Sequence, residues 1–208
     1  MIFAFLDTAE VASVLLRSPL LAERWERPSA LDRFRISGLA GHLARAVLNV
    51  ERWLAEPLPA DRLPVDAVTY FLAGVGPAPR LDDAVPLRIR EVGEREAAGG
   101  PDALVEAFDA ARARLAVRLP TMPLDRPVGV FTHVLPLDQC LLTRLVELVV
   151  HLDDLAVSLE VPTPSVPAEA TEAVTDCLTR IAVARHGFLP VMRTLARRER
   201  VTDPIAAF

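Results

Sequence analysis

A chain of 208 residues with 51% hydrophobic and 25% charged side chains has enough apolar mass for one large folded domain, which excludes a disordered chain. Its formal net charge of −5 leaves no basic footprint to neutralise phosphates, so no nucleic-acid partner is expected. All 23 basic residues are arginine, a composition read as the codon bias of a GC-rich bacterial genome.

The N-terminal run MIFAFLDTAEV has neither a basic leader nor a small-residue cleavage site, so the expected location is cytoplasmic. Helical spacing of apolar residues predicts a first segment from Thr8 to about Trp25, capped by Asp7 and ended or kinked at Ser18-Pro19. Pro28 and Ser29 mark a loop. A second helix follows, with Ser37 as N-cap and Leu39, Leu43, Ala46, Val47, Val50 and Leu54 as its apolar stripe. Pro57 and Pro59 end it. The Pro- and Gly-rich stretch from Leu58 to Arg80 has room for one short helix around Asp66 to Ala73.

Two further helices are expected at Pro86 to Ala98 and Pro101 to Leu119, each with proline at its first position and Gly99-Gly100 between them. Pro120 to Pro136 reads as irregular, with a short extended piece at Val128 to Val134. Asp138 then caps the most apolar helix, Gln139 to Leu159, whose most apolar stretch, Leu145 to Leu159, is too short to span a bilayer and carries Glu147, His151, Asp153 and Asp154. The run Val161 to Pro167 is a stiff, extended linker. Helices at Ala168 to His186 and Leu189 to Val201 close the chain, with Gly187 as the C-cap between them. Arg193 to Arg200 reads as a solvated helix end. The expected fold is all-α: a four-helix bundle over residues 1–160, with residues 161–208 as linker and C-terminal helices packing on it. Cys140 and Cys177 are isolated and read as buried thiols.

The chemistry concentrates on the helix LLTRLVELVVHLDDLAVSL. Apolar residues surround it, yet Arg144, Glu147, His151 and Asp154 recur at steps of three, four and three and must form one polar stripe. A buried, unpaired carboxylate is costly, so the stripe needs a partner or an opening to water. A divalent metal ion would satisfy it, because Glu147 and His151 lie one turn apart and can share an ion. His42 is the natural third ligand from a facing helix, where Ala40, Gly41 and Ala44 would permit close approach. Plainer readings stand beside this one. Glu147 and His151 could be an ordinary ion pair on a partly wet face, and His42 a satisfied core histidine. Arg144 and Asp154 would orient neighbours or face the substrate, while His133 and His186 read as structural. Two imidazoles and a carboxylate suit zinc, nickel, iron or manganese.

At these residues the chain resembles a known family. The segments Leu39-Ala-Gly-His-Leu-Ala-Arg45 and Thr143-Arg-Leu-Val-Glu-Leu-Val-Val-His-Leu-Asp-Asp-Leu155 are similar to the metal-binding N-terminal domain of mycothiol-dependent maleylpyruvate isomerases, within the DinB-like bundles. The resemblance covers roughly residues 5–160, and Arg185 to Arg200 is similar to the tail of short members. It implies that His42, Glu147 and His151 hold Zn2+, with Ni2+ as the alternative, and that the metal activates a low-molecular-weight thiol such as mycothiol. The implied activity is thiol S-transfer or isomerisation on a small electrophile, and Trp53, Tyr70 or Phe71 are expected to line the cleft. The complete isomerase carries a further α/β domain with an arginine that has no counterpart here, so maleylpyruvate is not the expected substrate. Two other functions compete: a non-catalytic metal- or ligand-binding module whose extra helices could form a homodimer face, and a hydrolase using Glu147 or Asp154 as general base.

Overall fold

The computed structural model describes residues 1–74, 84–200 and 204–207. In chain order the helices are α1 (Ile2–Leu16), α2 (Pro19–Glu23), α3 (Ile36–Ala55), α4 (Ala67–Gly74), α5 (Ala84–Glu96), α6 (Pro101–Arg118), α7 (Leu137–Leu159), α8 (Ala168–His186) and α9 (Phe188–Ala196). One antiparallel hairpin, β1 (Pro127–Val130) and β2 (His133–Pro136), precedes α7. Helices α1, α6, α3 and α7 form a closed ring in which each packs on its two neighbours. The apolar stripes meet inside it, burying Phe5 and Leu16 of α1, Leu39 and Leu43 of α3, Phe108 and Leu115 of α6, and Leu141 and Leu148 of α7. This is the expected all-α bundle of four main helices.

Helix α7 is apolar on almost every side because it touches α1, α3, α4 and α8 at once. The C-terminal α8 lies on α7, α4 and α1, through Val174, Cys177 and Ile181 among others. Among the described residues no helix is long and apolar enough to cross a membrane.

Several helix ends differ from expectation. Helix α1 starts at Ile2, well before Asp7, because the opening run buries Ala4 and Phe5; Asp7 lies exposed mid-helix. It stops at Leu16, and α2 is a separate turn with Ser18 before it and Pro19 at its first position. Ser37 is not the cap of α3. Arg35 holds that place, and buried Ser37 directs its hydroxyl to Glu94 (3.4 Å). Asp138 sits in the first turn of α7, where it accepts the Gln139 N–H at 2.8 Å, while Pro136 precedes the helix. Helix α5 begins two residues before Pro86 and ends at Glu96. Helix α9 stops at Ala196, followed by a 3-10 turn at Arg198–Arg200; the expected end at Val201 lies outside the described residues. The short helix expected near Asp66 is α4, and residues 75–80 of the same stretch also lie outside. The extended piece at Val128 to Val134 is two paired strands, turned at Phe131 and Thr132.

The closest helix crossing joins α3 to α5. A Cβ on Gly41 would stand 2.1 Å from the Gly93 carbonyl oxygen, and one on Gly93 would stand 2.4 Å from that of Gly38. Backbone therefore rests on backbone. Polar clamps flank the contact, since Glu96 receives both terminal nitrogens of Arg52 (2.7 and 2.6 Å) and one from Arg45 (3.4 Å).

Burial pushes the Glu96 carboxyl up, but the two arginines outweigh it and hold it below the ordinary value of 4.5. A depressed carboxylate adds stability above its unfolded pKa, and that stability is lost as pH falls through the folded one. Thermal melts of wild type should lose midpoint below about pH 4.5, and Glu96→Gln should show a shallower loss with a lower midpoint at pH 7. Equal slopes in the two proteins would refute this role for Glu96.

Candidate metal centre

Helices α3 and α7 cross at the centre of the bundle, and their polar residues meet there. His42 lies on the α7-facing side of α3, and its Nε2 is 3.2 Å from Glu147 Oε2. One turn further along α7, His151 Nε2 is 3.3 Å from the same oxygen. The imidazoles meet edge to face, with ring centroids 4.5 Å apart. One donor atom from each of His42, Glu147 and His151 falls within a 4.8 Å triangle. All three side chains keep 16–20% exposure.

The protons are distributed unevenly. His151 has a carboxylate at each ring nitrogen, with Asp154 Oδ2 2.8 Å from Nδ1. Burial works against its charge, but Asp154 and Glu147 prevail and raise it to about 9. Burial wins at His42, which is held below its ordinary value despite Glu147. A neutral His42 that donates Nε2–H to Glu147 carries a bare Nδ1, which matches the buried Nδ1 having no hydrogen-bond partner among the described residues. At Glu147 burial is overcome by the two histidines and by Arg144, so the carboxyl lies well below the ordinary range. Without a cation, then, Glu147 is an anion held by protons on both imidazoles.

These residues fit a divalent cation. Two imidazoles and one carboxylate from two rigid helices are a common open-site donor set. Asp154 fixes the proton of His151 on Nδ1, so that Nε2 offers its lone pair to the centre. Asp154→Asn is expected to weaken zinc binding about 10- to 100-fold while keeping the fold, as competition against a chromophoric chelator would read. Unchanged affinity would mean that Asp154 does not orient the ring.

A profile of the mycothiol maleylpyruvate isomerase N-terminal domain matches residues 6–156. The chain belongs to that family. The family lies within the DinB-like superfamily, and the ring of α1, α3, α6 and α7 is its bundle. Neither curated proteins nor solved structures gave a match.

The other singled-out residues fall into two groups. Arg144 lies beside the triangle, with Nη2 3.8 Å from Glu147 Oε1 and its guanidinium 5.2 Å from the centre of the Trp53 ring. Tyr70 is near enough for the Arg144 charge to act on its hydroxyl, which burial pushes upward. Phe71 is instead buried in the apolar cluster shared by α4, α7 and α8. His133 stays away from the triangle and packs edge-on against Tyr70, while His186 Nε2 meets the Ala206 carbonyl oxygen at 2.8 Å.

Two neighbours escape a reading of the sequence. Phe34 stands 6.3 Å from the His42 ring, and Phe131 packs edge-on against Trp53 at 5.2 Å. Phe131 is 58% exposed and has φ of 53°, a left-handed conformation that costs a bulky residue on the order of 1 kcal/mol. No local pattern announces either contact.

Proposed function

We propose that this protein is a metal-dependent thiol S-transferase or isomerase acting on a small electrophile, in which His42, Glu147 and His151 hold one Zn2+. The observation that carries the reading is the convergence of three donor atoms from α3 and α7 within 4.8 Å. A divalent cation bound there would favour thiolate over thiol, supplying a nucleophile at neutral pH. Three protein ligands leave room for an outside ligand.

The chain's own residues favour an external thiol. Cys140 and Cys177 are fully buried, and burial pushes their thiols up to about 12 and about 11, so neither offers a thiolate. A low-molecular-weight thiol of the mycothiol type, named by the family, is the natural cosubstrate. Glu147 supplies the negative charge that holds the cation. Asp154 keeps the His151 proton at Nδ1, away from the reaction. Both carboxylates are thereby committed, which disfavours a hydrolase that needs a free general base.

The test is turnover of a chromogenic electrophile by the zinc-loaded protein, with mycothiol present and omitted. Product formed only with thiol and metal together supports the proposal. Affinity for both without product would identify a binding module, and product without thiol a hydrolase.

A further inference from the structure

We propose that Arg144 is the ligand-recognising residue of this site, and that the terminal edge of its guanidinium binds an anionic group of the small molecule. The inference rests on the metal-centre reading above, since it places that group beside Glu147. Arg144 is 6% exposed, on α7, the helix that packs against α1, α3, α4 and α8. Its Nε donates to Thr143 Oγ1 at 3.1 Å, and one face is covered by Trp53. The Tyr70 hydroxyl is also near enough to interact with it. The nearest carboxylate oxygen, Glu147 Oε1, is 3.8 Å away, beyond hydrogen-bonding reach, and two imidazoles already address that carboxylate.

Other arginines of the chain show the opposite pattern. Arg52 and Arg114 are about half exposed, yet each makes two short hydrogen bonds to a carboxylate, at 2.6–2.8 Å. Arg144, the deepest arginine among the described residues, has its nearest carboxylate beyond hydrogen-bonding distance. Taking a guanidinium out of water is costly unless hydrogen bonds and a counter-charge complete it.

The surroundings suit a ligand. Trp53 and Tyr70 lie beside the guanidinium, and Phe131 of the β1–β2 turn and His133 of β2 pack on those two rings. An apolar frame strengthens an ion pair made inside it. With Nε occupied and one face covered, the end-on pair of Nη groups remains. That fork matches the two oxygens of a carboxylate. Such a group could belong to the electrophile or to the thiol, and ligand pairs separate the two sources.

The experiment uses calorimetry on zinc-loaded protein, with Trp53 fluorescence as a second readout. Cinnamate is compared with cinnamamide, and 3-mercaptopropionate with 3-mercaptopropionamide, in wild type, Arg144→Gln and Arg144→Lys. Wild type should favour the acid of at least one pair by about 10- to 100-fold. The pair that shows the preference identifies the source. Arg144→Gln should abolish the preference while keeping its zinc, and Arg144→Lys should keep part of it. Three results would overturn the proposal: no acid preference in wild type, an undiminished preference in Arg144→Gln, or loss of zinc from Arg144→Gln, which would make Arg144 a positioning residue for Glu147. Should wild type bind no zinc, the metal reading fails separately, and the same acid–amide comparison on the metal-free protein still decides the role of Arg144.

Discussion

Glu147→Gln should abolish stoichiometric zinc in the purified protein, from near one equivalent to none, and His42→Ala should do the same. Glu147 is the hub of the cluster, because both imidazoles converge on a single one of its oxygens. Four-ligand zinc sites bind with roughly 10–16 kcal/mol, so one ligand is worth on the order of 3 kcal/mol, more than 100-fold in affinity. An amide loses more than that share, since it also removes the anionic charge opposing the cation. The substitution has a second consequence in the metal-free protein, where the protonated His151 would lose one of its two carboxylates. Elemental analysis and a thermal melt with and without added zinc read both effects. Retention of a full equivalent by Glu147→Gln would remove the metal site from consideration.

Gly41→Ala is expected to lower stability by about 2–3 kcal/mol, and the melting temperature by roughly 5–10 °C. The added methyl would gain about 1 kcal/mol in helix propensity, but it meets the carbonyl oxygen of Gly93 at 2.1 Å. A flexible side chain could swing aside; a backbone oxygen in another helix cannot, so α5 has to shift bodily. Gly93→Ala, 2.4 Å from the Gly38 oxygen, should cost a similar amount. The double variant should cost less than the two singles together, because the first substitution has already parted the helices. Gly74→Ala is the control, since a Cβ there meets nothing within 4 Å. A neutral Gly41→Ala would show that α5 does not sit against α3 in solution.

Much of this architecture is legible in the sequence, for identifiable reasons. Helices α1 and α3 are legible from apolar residues at helical spacing, α6 from Pro101 and the glycines before it, and α7 from its apolar run, while the stripe from Arg144 to Asp154 follows from spacing alone. The small residues before His42 point to a close crossing, which α5 makes at Gly41. The partner glycine is harder to see: Gly93 lies in a charged run, Arg90 to Glu96, where it reads as a weak spot in a surface helix. Cap signals at Asp7 and Ser37 mislead because burial of the neighbouring apolar residues carries each helix past them. The hairpin hides because its turn is Phe131-Thr132, without the Asn-Gly or Asp-Gly that marks tight hairpins. Trp53 and Tyr70 beside Arg144, and Phe131 and His133 packed on those rings, are brought together only by the tertiary fold.

The glycine crossing also bears on how such a protein can diversify. At Gly41 and Gly93 the residue alphabet shrinks to one letter, because any side chain there would meet backbone and pry α5 from the helix that carries His42. The β1–β2 turn is under no such constraint, as Phe131 and Thr132 are exposed and close no backbone contact of that kind. Descendants that change their ligand would therefore be expected to vary at the turn and leave the crossing alone, and a library randomised at Phe131 and Thr132 should yield many folded members where one at Gly41 and Gly93 yields almost none.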